Sequence, residues 1–492
     1  MRRRRAKDEK EQEKNAMTEE PSAAVTMRPA DPRGTLAVAA VGTLLVLVTF
    51  TTPLTTLTAT ASGLRAGPSA QAWVLSAMNV GTAAGLLSGG AVGDDYGRRR
   101  TFLAGTLVLA GASVLGAIAP DSLSLILARL LQGLGGAAML ACGLGLIGHA
   151  FPEGPARVRA TGVWGASLGA GVAVGPILAA GLAALGGWRL PYAATALAAA
   201  ALAVAGRGLL SESRAARPRP VDAAGTLLLG LGLAAFMAGL VEGRAGWDQP
   251  PVIALLALGL ALVVAFVAVE HRITHPMLDL ALFRRPDFLG ATVAALASGA
   301  GVLALMSLVP TVLERGLNEG AVLASVVLLA WSVTSVLTAL GARWLPSRVP
   351  PRAQLVAGLV GCAAGQLAVA RLAPDSPVAR LVPGLLVAGA ANGVLNAALG
   401  RQAVASVPAD HATMGGGANN TARYVGSGIG ITVVTVLLTR SGAAPGAAGL
   451  LSGWNVAVVI TAAFSLLGAL VVVLARERTA KPEADTSGPE GA

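Results

Sequence analysis

Two arginines stand inside long apolar stretches of the chain, where a charge needs a chemical reason to be present. Arg129 falls within residues 123–149 and Arg423 within residues 414–438. A charged side chain in the middle of a bilayer costs roughly 3 kcal/mol even on permissive insertion scales. Charges at such depth usually mark substrate or ion pathways, and we predict that both arginines line a central cavity.

Uncharged polar residues accompany the two arginines at the same predicted depth. Gln132, Asn79 and Asn419 each lie inside an apolar stretch, and the first stretch is rich in threonine. Thr49 and Thr52 share one face of a helix in that stretch. We predict that these five residues also line the cavity, where they could hydrogen-bond a substrate. The alternative is that the threonine hydroxyls bond to carbonyls of their own helix.

Residue groups typical of enzymes are missing from the sequence. The four histidines fall in predicted loops or at the ends of apolar stretches, and His271 and His275 have no further ligand nearby. The chain has no phosphate-binding loop of the Walker type, no nucleophile elbow and no paired carboxylates. We therefore expect a protein that is not an enzyme and that uses no metal and no cofactor.

The composition indicates that lipid surrounds most of the chain. Of the 492 residues 54% are hydrophobic and 13% are charged, whereas a soluble protein carries roughly 25% charged residues. A helix needs about 20 apolar residues to cross a bilayer. Fourteen stretches are long enough, which predicts an all-α integral membrane protein. They are residues 35–60, 71–93, 101–119, 123–149, 158–184, 190–206, 222–241, 250–269, 288–312, 320–342, 353–370, 381–400, 414–438 and 453–475.

The distribution of positive charge predicts the orientation. An even number of spans places both termini on the same side of the membrane. With the termini inside, 28 of the 37 Lys and Arg residues fall in inner segments, 7 in outer loops and 2 within spans. Because Lys and Arg concentrate in cytoplasmic loops, we expect cytoplasmic termini. The same bias explains the net charge of +11 without nucleic-acid binding.

The loop after the second stretch carries a recognisable set of residues. It contains Gly90, Asp94, Gly97, Arg98 and Arg99 in that order, and it resembles the signature loop of the major facilitator superfamily. Glycine permits a tight turn, and arginines hold a loop at an anionic membrane surface. The resemblance implies a latch that holds the two halves of a transporter together in one state. The alternative is a simple positive anchor.

Two further segments strengthen the resemblance. Arg129 and Gln132 match the motif of the superfamily's fourth helix. Gly162, Gly171, Gly175 and Pro176 in the fifth stretch resemble its antiporter motif, although Ala179 and Ala180 stand where the family usually has a glycine pair. Glycines four residues apart allow close helix packing and proline bends a helix, which favours a hinge. In the family this motif is associated with exporters.

An extra pair of spans and two later segments resemble the fourteen-helix drug:proton antiporter branch of the superfamily. These segments run from Glu270 to Arg285 and from Gly415 to Gly430. The resemblance implies the major facilitator fold, with two six-helix bundles and two linking helices. The predicted division is a disordered cytoplasmic tail at 1–34, an N-terminal bundle at 35–206, an insertion at 207–270, a loop and C-terminal bundle at 271–475, and a disordered tail at 476–492.

The acid that usually couples proton flow in this branch is missing. The family's first helix typically carries an aspartate, and Thr49 stands at that place. None of the 26 acids lies deep in a predicted span, and the nearest ones lie at span ends. These are Asp94, Asp121, Asp222, Glu242 and Glu270. Coupling through a peripheral acid such as Asp121 or Glu242 is one hypothesis, and transport without proton coupling is another.

These observations predict a secondary transporter of the bacterial plasma membrane that exports hydrophobic small molecules such as drugs and antibiotics. Two buried arginines without a deep acid favour an anionic or neutral substrate. We expect a monomer in the lipid bilayer whose partners are the substrate and protons. An importer or uniporter of a small metabolite, or a non-transporting sensor on the same fold, are the alternatives.

Overall fold

The computed structural model describes residues 31–151, 154–214, 222–243, 246–273, 276, 278–344, 349–408, 411–440 and 446–475. Over these residues the chain forms fourteen long helices and no strand. The helices are α1 Pro32–Leu64, α2 Pro68–Tyr96, α3 Arg98–Ala117, α4 Ser122–Ala150, α5 Pro155–Gly186, α6 Leu190–Leu209, α7 Ala223–Glu242, α8 Pro250–Glu270, α9 Pro286–Gly316, α10 Ala321–Gly341, α11 Pro351–Ala368, α12 Leu381–Ala405, α13 Ala412–Arg440 and α14 Ala447–Leu474.

The helix pattern confirms the predicted all-α membrane fold. Eleven of the helices in the described part of the chain are long and apolar enough to cross a membrane by themselves. The other three are α2, α10 and α11. Polar residues lower the hydropathy of α2 and α11, and two of these, Asn79 and Gln366, are buried between helices rather than exposed to lipid.

Short connections between long helices make neighbours antiparallel. We call the end of the bundle where α1 begins and α14 ends the terminal end, and the opposite end the far end. The predicted tail 476–492 lies outside the described residues. Residues 1–30 of the predicted tail 1–34 lie outside them as well.

Asp31 caps α1, because its side chain accepts a hydrogen bond from the Arg33 backbone N–H at 3.0 Å.

Two large hydrophobic clusters form the core. One is built mainly from α1–α6, with additional residues from α7, α12 and α13. The other is built almost entirely from α9–α14. The α7–α8 pair packs beside them, where α7 contacts α2 and α13. The predicted domain division, with its boundaries, remains a prediction.

Each half of the molecule contains a pair of helices that pack closely at a glycine. In α5, a Cβ on Gly171 would lie 2.8 Å from the carbonyl oxygen of Leu44 in α1. In α13, a Cβ on Gly430 would lie 2.8 Å from the carbonyl carbon of Ala300 in α9. The pair α9–α13 therefore packs as closely as α1–α5, as internal repeats of one helix arrangement would.

Three of the closely packed helices are interrupted along their length. Pro53 stands inside α1, Pro176 inside α5, and Pro310 inside α9. α9 also contains a π-helical turn at Ser298–Leu303. Proline removes one hydrogen bond of a helix, and π turns are frequent at functional positions. All three helices line the cavity described next.

Candidate central cavity and latch

A cavity of about 1220 Å³, including its open mouth, lies between the two hydrophobic clusters. Its walls come from α1 and α5 on one side and from α9, α10, α12 and α13 on the other. Leu54, Thr55 and Glu314 are exposed and mark the rim toward the far end. Deeper in the lining, Phe50 of α1 and Tyr424 of α13 meet edge to face, with ring centroids 6.4 Å apart.

The two walls of the cavity differ in polarity. The α1–α5 wall is mainly apolar, with side chains such as Leu47, Phe50 and Val172. The opposite wall carries most of the polar side chains. These are Ser307, Glu314, Ser332, Asn392, Asn396, Asn420, Arg423 and Ser427. The cavity therefore suits a molecule with one apolar and one polar face.

Arg423 is the residue of the predicted cavity set that lines this space. Its side chain is only 6% exposed. Asn419, four residues earlier, instead donates to the Ala291 carbonyl at 3.0 Å and ties α13 to α9. Asn79 is buried in α2 outside the lining. Sequence reasoning places all three at membrane depth, but it does not give the rotation of each helix.

Arg129 is completely buried outside the cavity lining, which departs from the sequence expectation. Its guanidinium donates to the carbonyl oxygens of Thr49 at 2.7 Å, Phe50 at 3.1 Å and Val74 at 3.3 Å. Pro53 lacks the N–H that would otherwise bond to the Thr49 carbonyl. Arg129 therefore supplies the hydrogen bond that the proline removes.

Gln132 and the predicted threonines belong to this structural network and not to the cavity wall. Gln132 accepts from Arg129 at 3.1 Å and donates to the Ser113 hydroxyl at 2.9 Å. The hydroxyls of Thr49 and Thr52 donate to carbonyls of their own helix at 2.7 and 2.9 Å. This is the alternative left open for threonine. Thr51 and Thr55, on a neighbouring face, line the cavity instead.

The predicted latch residues join α2 to α13 at the terminal end. Asp94 accepts from the Arg98 guanidinium at 2.7 Å. The same carboxylate accepts from the backbone N–H groups of Met414 at 2.7 Å and Thr413 at 3.2 Å. These N–H groups belong to the first turn of α13, where a helix attracts negative charge. Asp94 therefore connects the end of α2 to the start of α13.

The glycines of the loop are needed for this close contact. A Cβ on Gly90 would lie 2.8 Å from the Thr413 carbonyl oxygen. Gly97 has φ +119°, and its Cβ would lie 2.6 Å from the Glu212 carboxylate. Glu212, which sequence reasoning missed, accepts from the Arg99 backbone N–H at 3.0 Å. A carboxylate shortly after the sixth span was the available signal for it.

The predicted hinge residues contact two different partners. Gly171 and Gly175 face α1, where a Cβ on Gly175 would lie 3.0 Å from the Cα of Val48. Gly162 faces α10, with the Ala339 carbonyl 2.8 Å from its Cβ position. Pro176 lies in the cavity lining. α5 thus packs against both clusters, which is the position that a hinge requires.

The acids at span ends have separate roles. Asp121 is exposed and caps α4, and the Ser124 N–H and hydroxyl lower the pKa of its carboxyl. Asp222 caps α7 through the Gly225 N–H at 2.8 Å. Glu242 accepts from the Trp73 indole, and Glu270 is buried at the end of α8. None of these four lines the cavity.

The family match covers most of the chain. The model of the Major Facilitator Superfamily matches residues 39–431. The chain belongs to this superfamily. It is therefore a multi-pass membrane transporter of small molecules, as the sequence predicts. Across the residues that the structure describes, no three His, Cys, Asp or Glu side chains are grouped as metal ligands.

Relatives place the transporter among resistance proteins. It is 32% identical to the puromycin resistance protein pur8 of Streptomyces alboniger, over 83% of this chain and 84% of the relative. It is 28% identical to the multidrug efflux pump LfrA of Mycolicibacterium smegmatis, over 82% of this chain and 80% of the relative. The solved proton:xylose symporter XylE has the same fold, with a TM-score of 0.65 at 13% identity, covering 90% of this chain and 95% of that one.

Glu314 is a charged residue of this transporter's cavity that was not predicted from the sequence. The predicted span ends at residue 312, whereas α9 continues to Gly316 and carries Glu314 into the lining. The expected pair of cavity arginines is replaced by one arginine deep in the cavity and one carboxylate at its rim. The cavity is thus less electropositive than predicted.

Proposed function

We propose that this transporter exports hydrophobic small molecules, such as drugs and antibiotics, and that a proton gradient drives the export. The observation that carries the proposal is the cavity between the two helix clusters, which opens toward the far end, while Asp94 bonds Arg98 and the start of α13 at the terminal end. The names of its relatives as resistance proteins and efflux pumps support export of such compounds.

In this proposal the six-helix halves, 35–206 and 271–475, rock about the cavity. The termini are cytoplasmic, as the positive charge distribution indicates. The state described here then faces outward, and Gly90, Asp94, Gly97, Arg98 and Arg99 form the cytoplasmic latch. Release of the latch would open the cavity to the cytoplasm. Gly162, Gly171, Gly175 and Pro176 supply the close, bent packing of α5 about which the halves move.

Proton coupling needs a carboxylate that changes its environment during the cycle. Asp94 meets this requirement, because opening of the terminal end removes its contacts with α13. Glu314 meets it also, because it stands at the rim of the cavity. Asp121 does not meet it, since its carboxylate is exposed and its pKa is already lowered by hydrogen bonds.

The test is accumulation of cationic, neutral and anionic fluorescent dyes in an efflux-deficient bacterial host. Cells expressing the protein should accumulate less dye, and a protonophore should abolish the difference. Asp94→Asn at equal membrane expression should export less, and Asp121→Asn serves as the matched control. Higher accumulation would identify an importer, and export that persists with the protonophore would refute proton coupling.

A further inference from the structure

Arg423 is a buried cation whose side chain is not neutralised by the surrounding protein. It is 6% exposed and belongs to the cavity lining. Among the residues that the structure describes, its guanidinium makes no hydrogen bond and no salt bridge. Guanidinium has five N–H donors and stays protonated. Closing the cavity would strip water from this guanidinium, and a buried, unpaired cation is strongly unfavourable unless something pairs with it. The position therefore points to an anionic group from outside the chain.

The nearby wall has hydrogen-bonding capacity that the described protein does not use. Four residues of the lining carry buried polar atoms without a partner in the described structure. They are the Trp331 indole N–H, the Ser332 hydroxyl and the amide oxygens of Asn392 and Asn396. The Asn392 amide is held in place because its Nδ2 donates to the Ser335 hydroxyl at 3.0 Å. Buried polar groups are normally satisfied. Because the four residues line the cavity, a small side-chain rotation would offer this unused hydrogen-bonding capacity to a ligand.

The second charged residue of the lining does not neutralise Arg423. Glu314 lies two residues before the end of α9, near the far end, whereas Arg423 lies eleven residues into α13, counted from the terminal end. At 1.5 Å per residue the two positions differ in depth by about 25 Å. This is far beyond the distance of about 4 Å that a direct ion pair requires. The deep part of the cavity is therefore cationic.

We infer that Arg423 is the anchor for an acidic oxygen group of the exported molecule, namely a carboxylate, phenolate or enolate. Trp331, Ser332, Asn392 and Asn396 hydrogen-bond further hydroxyl, carbonyl or amide groups on the same face. The apolar wall of Leu47, Phe50 and Val172 covers the opposite, aromatic or aliphatic face. The substrate class is thus an amphipathic acid and not a lipophilic cation. This inference rests on the export function proposed above.

Two dyes with the same ring system and opposite charge provide the test. Fluorescein carries a carboxylate and a phenolate, and rhodamine 123 is a cation on the same xanthene skeleton. Binding of each is measured by fluorescence anisotropy with the full-length protein in phosphatidylcholine nanodiscs. We expect saturable binding of fluorescein that is tighter than binding of rhodamine 123. No saturable fluorescein binding, or tighter binding of rhodamine 123, would overturn the inference without any variant.

Variants then assign the binding to Arg423. Arg423→Gln should weaken fluorescein binding by about ten- to a hundredfold, the range expected for charge-assisted hydrogen bonds. Arg315→Gln makes the same chemical change at an exposed position outside the lining, and it should change the affinity by less than about twofold. Asn396→Asp adds a carboxylate to the wall and should weaken fluorescein while strengthening rhodamine 123. Unchanged affinity in a folded Arg423→Gln protein would overturn the assignment.

The outcomes separate this inference from the export proposal. A protein that lowers dye accumulation in cells, yet prefers rhodamine 123 over fluorescein, would remove the anionic anchor and leave export standing. A protein that binds fluorescein through Arg423 but changes no accumulation in cells would remove the export proposal and leave the anchor standing.

Discussion

Replacing Arg129 by methionine tests whether this arginine replaces the backbone hydrogen bond that Pro53 removes from α1. The Thr49 carbonyl has no helix N–H to accept from, because Pro53 is four residues later, and Arg129 donates to it at 2.7 Å. The carbonyls of Phe50 and Val74 have residues with N–H groups four positions later, so they keep a helix partner. The unsatisfied Thr49 carbonyl should thus dominate the cost of Arg129→Met, at about 1–3 kcal/mol.

A second substitution makes the reasoning specific. Pro53→Ala gives position 53 an N–H that can bond to the Thr49 carbonyl. In that background Arg129→Met should cost less, and the difference between the two costs should be about 1–2 kcal/mol. A general effect of losing a buried charge would be the same in both backgrounds, and the cycle therefore isolates the carbonyl.

The two native cysteines provide the assay. Cys142 and Cys362 are free and completely buried, so a thiol-reactive fluorogenic dye reports unfolding of the detergent-purified protein during heating. Arg129→Met should lower the apparent midpoint by several degrees, at roughly 2–4 °C per kcal/mol or less for a long chain. Pro53→Ala should recover a large part of that loss. Arg315→Met, at an exposed site, is the control. Equal losses with and without Pro53 would refute the role assigned to Arg129.

Three further predictions concern the latch and the glycine contacts. Gly97→Ala should lower the thermal midpoint and the transport rate, because φ is +119° and Glu212 occupies the Cβ position; Gly111→Ala, which meets open space, should leave both unchanged, and equal effects of the two would contradict the reasoning. Gly171→Leu should cost about 1–3 kcal/mol of stability by overpacking against α1, measured as a lower thermal midpoint. Gly181→Leu meets open space and should leave the midpoint unchanged. A Gly171→Leu protein with an unchanged midpoint would be incompatible with the close α1–α5 contact. Asp94→Asn should raise the rate at which a thiol-reactive dye modifies Cys142 about tenfold in a Cys362→Ser background. The reason is that the latch loses charge-assisted hydrogen bonds and Cys142 lies against Gly93, next to Asp94. Asp121→Asn should leave the rate unchanged, and an unchanged rate in Asp94→Asn would argue against a latch.

Helix positions could be predicted from the sequence because a span must be long and apolar. The stretch 250–269 corresponds to Pro250–Glu270, and 190–206 corresponds to Leu190–Leu209. The polar stretch 414–438 also forms one helix, Ala412–Arg440, since its polar side chains face other helices or the cavity. Hydropathy was sufficient here because lipid leaves a chain few alternatives to a helix.

The orientation of individual side chains could not be predicted in the same way. Arg129 and Arg423 look alike in sequence, as single arginines in apolar stretches. Arg129 donates to helix carbonyls, one of which has lost its partner to Pro53, and Arg423 faces the cavity. Pro53 was the signal that could have distinguished them, but relating it to Arg129 requires knowing that α1 and α4 are neighbours. Glu314 was missed for a smaller reason, because the predicted span ended two residues before it.

The cavity has one apolar wall and one polar wall that carries Arg423, and this arrangement links substrate binding to closure of the cavity. In the state described here the cavity is open, so water can solvate the Arg423 guanidinium. Closing both ends around an empty cavity would remove that water and leave a buried, unpaired charge, which costs several kcal/mol. An acidic substrate offsets this cost by pairing with Arg423, and its apolar face fills the space along α1 and α5. A ligand shifts a conformational equilibrium by as much as it binds one state better than another. The same arginine that selects an amphipathic acid thus also favours closure of the loaded transporter over closure of the empty one.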